Sequence, residues 1–197
     1  MFKSFKKTNS AGFSLIESLI ATAIFVVVVA IGAGVFLTVS RAQHKAISVS
    51  EAQKDTRFAL EAIVKEVRMG TIDFKYYEDN KIDLEGEVNE LAIYGSSKEY
   101  LVFRKVGGDQ EGGQLEVAIN PSYQKLPGNF QSMIRENVEI KKLSFYISPS
   151  ESPYKEGGEK KQPRVTIILQ SEVKDQDDPV KTVKIDLQTT VTSRVYK

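Results

Sequence analysis

An uncharged apolar run constrains this 197-residue chain more than any other feature. From Ser18 to Ser40 the sequence reads SLIATAIFVVVVAIGAGVFLTVS, which is long enough for a spanning helix of about 20 apolar residues. A secretory signal peptide has an apolar region of only about 7–15 residues, followed by a small-residue cleavage site that is missing here. A buried core helix fits poorly, because the run has no polar face. The run therefore predicts a membrane-spanning helix.

The charges that flank the run predict its orientation. The first 12 residues contain three lysines and no acidic residue, and positive flanks stay in the cytoplasm. Arg41 and Lys45 on the other side weaken this signal slightly. We expect a single pass through the cytoplasmic (inner) membrane, with the N-terminus inside and the C-terminal domain outside.

A glutamate stands at the start of the apolar run. Glu17 lies at the hydrocarbon edge, where a carboxylate costs less than the roughly 2.5–3.5 kcal/mol found at the membrane centre. One interpretation is an interfacial residue that reaches towards water. The surrounding residues favour a different interpretation.

The stretch GFSLIE, from Gly12 to Glu17, closes a short lysine-bearing leader and opens the apolar run. It resembles the class III signal of type IV prepilins and type II secretion pseudopilins. The resemblance implies that a prepilin peptidase cuts between Gly12 and Phe13 and that Phe13 is then N-methylated. It also places Glu17 at the family's fifth mature position.

Charge pairing between subunits would explain the spacing of Phe13 and Glu17. Cutting would create a positive amine at Phe13, and pairing it with Glu17 of a neighbouring subunit would offset the desolvation of both charges. The pair would also fix the axial offset between subunits, as a buried polar group can fix register. Glu17 is thus expected to act in assembly, while Gly12 lets the peptidase approach the backbone.

The helical pattern continues beyond the membrane run. An apolar stripe with spacings of three and four predicts one helix from about Phe13 to Met69, with Gly70 as its stop. Gly32 and Gly34 could permit close packing, weaken the helix locally, or be ordinary small residues. The stripe comprises Ala42, Ala46, Val49, Gln53, Thr56, Leu60, Ile63 and Val67, widened by Ala52, Ala59 and Val64.

The remainder predicts β structure, and the fold class is α+β: a long N-terminal helix on an antiparallel, pilin-like β head. Loops are expected at 107–113, 120–129 and 148–163, and an acidic turn before residue 180. The predicted strands are Leu91–Tyr94, Glu99–Val106, Gln114–Ile119, Val138–Ile147, Arg164–Val173 and Val180–Val195.

Four segments follow from these patterns. We expect a cleaved leader at 1–12, a transmembrane and assembly half of the helix at 13–40, an amphipathic half at 41–70, and an extracytoplasmic β-rich head at 71–197. The element order also resembles the J-type minor pseudopilins of type II secretion. That resemblance uses AQKDTRFALEAIVKEVR in the helix, IKKLSFYI, PRVTIILQSEV and LQTTVTSRV.

Composition argues against an enzyme. The chain has no cysteine, which excludes disulfides and thiolate sites, and its one histidine, His44, is expected at the surface. No hydrolase, nucleotide-binding or zinc-protease motif occurs, so no catalytic residue, cofactor or metal is expected. The acidic stretch Asp175–Asp178 fits a solvated turn better than a calcium site.

The leading hypothesis is a minor pilin or pseudopilin that helps initiate or cap a fibre. Its expected partners are other minor and major pilins or pseudopilins, the inner-membrane assembly platform and the prepilin peptidase. One alternative is a fibre-tip binding module that uses Ser148–Pro163 for DNA or a surface, although the mixed charges there argue against nucleic acid. Another is a plain anchored extracytoplasmic domain with an uncut leader.

Overall fold

The computed structural model describes residues 12–107, 112–120, 129–135, 138–153, 161–174 and 182–194. Within these residues the elements follow one another in a helix-first order. They are α1 (Leu15–Met69), β1 (Thr71–Ile72), α2 (Phe74–Asp79), β2 (Glu87–Val88), β3 (Glu90–Tyr94), β4 (Tyr100–Val106), β5 (Gln114–Asn120), β6 (Phe130–Ser132), β7 (Val138–Ser148), β8 (Arg164–Lys174) and β9 (Thr182–Thr192).

The predicted long helix is confirmed, because α1 is continuous from Leu15 through both internal glycines to Met69. Contacts divide the chain into two compact units, one ending at Ala46 and the next beginning at Ile47. The helix passes the length and composition test for a membrane span, and none of its most apolar window is buried in the chain.

Two threonine hydroxyls in the first unit are satisfied within the helix. The Thr22 Oγ1 donates to the Ser18 carbonyl at 2.7 Å, and the Thr38 Oγ1 donates to the Gly34 carbonyl at 2.9 Å. Such bonds to the preceding turn let a hydroxyl enter lipid without an unpaired donor. The polar residues at these positions are therefore compatible with a membrane span.

In the second unit, α1 buries one face against the sheets. The predicted stripe is confirmed from Thr56 onward and wrong near its start, where Ala42, Ala46 and Gln53 are exposed. The two alanines belong to the other unit, and Gln53 points away because its neighbour Ala52 is the residue that turns inward. The buried helix residues are Ala52, Thr56, Ala59, Leu60, Ile63 and Val67.

The strands form two antiparallel sheets, with orders β1-β3-β4-β5-β6 and β2-β7-β8-β9. Each of the six predicted strands has a counterpart, although both ends of the predicted Val180–Val195 strand lie outside the described residues. The short elements α2, β1, β2 and β6 were not predicted from the sequence, and neither was the division of the head into two sheets. A pair of backbone bonds between Gly113 and Ile140, at 2.9 and 2.7 Å, joins β7 to the residue before β5 across the sheets. The α+β fold class is confirmed.

Hydrogen bonds attach α1 to the head at two levels. In the buried interface the Thr56 Oγ1 lies 3.1 Å from the Ser171 Oγ of β8 and donates to the Ala52 carbonyl at 2.8 Å. At the end of the helix, the Ser193 Oγ donates to the Gly70 carbonyl at 2.7 Å, and the Arg194 N–H donates to the Arg68 carbonyl at 3.0 Å. The chain's last described residues thereby satisfy carbonyls that a helix end leaves unpaired.

Candidate assembly and processing site

A serine caps the start of α1. The helix begins at Leu15, and the Ser14 Oγ accepts a hydrogen bond from the Glu17 N–H at 3.2 Å. The Ser18 N–H donates to the Ser14 carbonyl at 3.1 Å, which closes the first turn. Serine at this position with glutamate three residues later is the sequence signature of a capping box. This role of Ser14 was not predicted, although the S-x-x-E spacing indicates it.

The carboxylate of Glu17 takes no part in this cap. Glu17 lies in the first turn, where the positive end of the helix dipole favours an acid. It is exposed, and among the described residues its carboxylate makes no hydrogen bond or ion pair. The Ser14 cap uses only the backbone N–H of Glu17, and the exposed carboxylate can meet a group outside the chain.

Gly12 and Phe13 lie immediately before this cap. Among the described residues, a Cβ added to Gly12 would meet nothing within 4 Å, so packing against them does not require glycine there. Phe13 is 79% exposed and packs on no core. All three site residues predicted from the sequence therefore lie in one short exposed segment, and no intrachain hydrogen bond among the described residues joins Phe13 to Glu17.

The segment is matched by a known family pattern. The family described as a prokaryotic N-terminal methylation motif matches residues 7–33, which include the cap, Glu17 and much of the apolar run. The chain carries a prepilin-type class III signal. The match supports a pilin- or pseudopilin-type protein, and the signal with its apolar helix suggests anchoring in the inner membrane. No curated protein and no solved structure matches the chain significantly.

The head contains a second group of polar contacts that the sequence analysis did not identify. On β2, Glu87 accepts from the Ser144 Oγ at 2.5 Å, the Tyr146 OH at 2.9 Å and the Lys142 Nζ at 3.1 Å. These donors, with Ser144 first, hold the pKa of Glu87 below its usual value, while the bond to Glu87 raises the pKa of Tyr146. The group fastens the two-residue strand β2 to β7.

A buried tyrosine and an aspartate stabilise α2. The Tyr77 OH donates to the Glu90 carbonyl at 3.2 Å and accepts from the Ala92 N–H at 2.8 Å, and burial raises the pKa of Tyr77. The Asp73 Oδ1 accepts from the Tyr76 N–H at 3.2 Å at the helix start, and burial raises the pKa of Asp73. These contacts fasten α2 to β3.

Among the remaining candidates from the sequence, His44 is exposed, as predicted. Among the described residues, no three His, Asp or Glu side chains are close enough to hold a metal ion. The acidic stretch Asp175–Asp178 and most of the loop Ser148–Pro163 lie outside the described residues.

Proposed function

We propose that the chain is a minor pilin or pseudopilin: a structural, non-enzymatic subunit that helps initiate or cap a type II secretion pseudopilus or a type IV pilus-like fibre. The observation that carries the proposal is the methylation motif, which runs without interruption into the apolar half of α1. The J-type subclass, with its partners among other minor and major subunits and the assembly platform, belongs to this proposal. Its support is the element order of the head.

Processing begins with the leader in this proposal. The peptidase cuts between Gly12 and Phe13, removes the lysine-bearing residues 1–12, and Phe13 is then N-methylated. The open space around Gly12 supports this role, because a residue that the fold does not require to be glycine has another reason to be small. Orientation with the N-terminus inside keeps this bond on the cytoplasmic side.

The new amine then needs a partner. It stands one residue before the Ser14 cap, at the positive end of the helix dipole, where a cation is disfavoured. A carboxylate from a neighbouring subunit offsets that charge, and the exposed, unpaired Glu17 of the described segment is suited to supply it. Each subunit would contribute one amine and one carboxylate, so a row of subunits satisfies both charges.

Replacing Glu17 tests this pairing. Glu17→Ala should insert into the membrane at normal levels and fail to enter fibres, because the neighbour's amine would be buried without a counter-charge. Glu61→Ala, which changes an exposed glutamate in the other half of α1, is the matched control and should enter fibres normally. Membrane fractionation and sheared-fibre fractions measure the two steps. Normal fibre entry by Glu17→Ala would contradict the pairing.

A further inference from the structure

β9 forms a long open sheet edge. It lies last in the order β2-β7-β8-β9 and pairs with β8 along Thr182–Thr192. The other outermost strands of the two sheets, β1, β2 and β6, have only two or three residues. Within the described part of the chain, no hydrogen bond reaches the backbone groups of β9 from the side opposite β8. These groups are a template for another strand.

The usual devices that block edge pairing are missing from β9. Its register with β8 shows no bulge, and it contains no proline. Its charged residues are Lys184 and Asp186, which are two positions apart, both exposed, and therefore on the same face of the strand. An edge carrying only lysines would repel a second copy of itself, whereas this edge carries one charge of each sign.

The order of these charges makes β9 complementary to itself. In an antiparallel pair of two β9 strands centred on Ile185, Lys184 of each copy lies opposite Asp186 of the other. The two-fold symmetry repeats the contact, as in any isologous interface. On the opposite face, Val183 meets Leu187, and both are half-buried apolar side chains. A parallel in-register pair would instead place lysine against lysine.

We propose that β9 is a homodimerisation edge at which two copies of this chain pair antiparallel about Ile185. Main-chain bonds would supply the affinity, and the two Lys184–Asp186 contacts would set direction and register. The inference goes beyond the proposed fibre role and does not depend on processing of the leader.

The test must allow for a neighbour of Lys184 within the same copy. The Lys184 Nζ lies 3.4 Å from the Glu172 Oε1, so Lys184→Glu also places two acids together on one sheet. Asp186 lies opposite the uncharged Gln170. A single substitution therefore cannot separate a lost contact between copies from a local effect, but a mixture of two variants can.

The experiment measures self-association of the full chain in a mild detergent by sedimentation velocity. We expect the unmodified chain to dimerise and Lys184→Glu or Asp186→Lys alone to weaken dimerisation about tenfold or more, because each puts like charges opposite twice. An equal mixture of the two variants should dimerise like the unmodified chain, since both acids of one variant then face lysines of the other. The double variant should do the same, which also reports that the strand still folds.

Lys65→Glu, a charge reversal on α1, is the control and should leave dimerisation unchanged.

Three results would overturn the proposal. A monomer at every concentration would mean that β9 does not pair with itself. Association that is unchanged in both single variants would place the contact elsewhere in the chain. Weakening by the single variants without recovery in the mixture would mean local damage or an edge meant for a different protein.

Discussion

Ser14 and Glu17 share the first turn of α1 and divide its hydrogen-bonding needs between them. The serine oxygen accepts from the Glu17 N–H at 3.2 Å, but the reciprocal bond of a capping box, from the Ser14 N–H to the Glu17 carboxylate, does not form among the described residues. A carboxylate that completed the box would be less available to a neighbouring subunit. The half-formed box thus supports the assembly role that we propose for Glu17.

Removing the cap should loosen only the start of the helix. Ser14→Ala is expected to cost about 1 kcal/mol, the usual value for an N-cap serine. Hydrogen exchange of the amides at 16–18 should therefore speed up several-fold, while fibre entry persists because Glu17 is unchanged. Loss of fibre entry comparable to that of Glu17→Ala would contradict the division of roles.

A larger side chain should impair leader removal at Gly12 and the stability of the head at Gly70. Gly12→Val should leave folding intact, since no atom lies within 4 Å of the new Cβ, and should prevent leader removal. Gly70→Ala should destabilise the head instead, because its Cβ would lie 2.5 Å from the Tyr94 carbonyl oxygen and 2.8 Å from that of Glu66. Immunoblots for leader removal and thermal unfolding separate the two effects. A normally processed Gly12→Val would count against the cleavage position.

At the scale of elements, the contact between α1 and β8 depends on two buried hydroxyls. Thr56→Val should cost about 1–3 kcal/mol, because Ser171 loses its hydrogen-bond partner in the described structure and stays buried. Ser171→Ala should cost less, since Thr56 still donates to the Ala52 carbonyl. In urea unfolding, the double variant should lose less stability than the sum of the single variants. Strict additivity would mean that the two hydroxyls do not interact.

The attachment of β2 to β7 should depend on pH. The pKa of Glu87 is lowered from 4.5 by its three donors, so the stabilisation is present above about pH 4.5 and is lost as the pH falls through the lower folded pKa. Glu87→Gln should therefore be less stable than the unmodified chain at pH 7, with the gap closing towards pH 3. The raised pKa of Asp73 acts in the opposite direction in both proteins and cancels in the difference.

Glu85→Gln is the matched control for the pH experiment. Glu85 is exposed, and its carboxylate has no partner among the described residues. Its stability gap to the unmodified chain should stay near zero from pH 7 to pH 3. A gap for Glu87→Gln that remained constant over the same range would show that the carboxylate charge is unimportant.

Long periodic elements could be predicted from the sequence, and short ones could not. The helix and the alternating strands carry a pattern repeated over many residues, whereas β1 and β2 have two residues each and exist only because β3 and β7 bind them. The start of the buried stripe was misplaced for a related reason. An alanine at position 42 or 46 fits a helix equally well on either face, and only the position of the head decides which residues are covered.

The site was predictable to the extent that it is local. Gly12, Phe13 and Glu17 are neighbours in sequence, and their spacing suggests the role that we propose for them. The Glu87 group joins residues more than 50 positions apart, and no sequence motif indicates it. A tertiary contact of this kind depends on strand register, which a single sequence specifies only weakly.

The whole molecule combines a prepilin-type signal, a membrane-length helix and a two-sheet head in one chain. We propose that this chain is processed as a prepilin. That claim concerns a covalent change in the first 13 residues, so it can be tested without a fibre or a known partner.

The most direct measurement is the intact mass of the full chain, purified from cells with and without a prepilin peptidase. We expect the peptidase to remove Met1–Gly12 and one methyl group to be added, located on Phe13 by fragmentation. Cells without the peptidase should yield the full-length, unmethylated chain. An unchanged mass in the presence of an active peptidase would contradict the account and leave a membrane-anchored β domain with an interfacial glutamate.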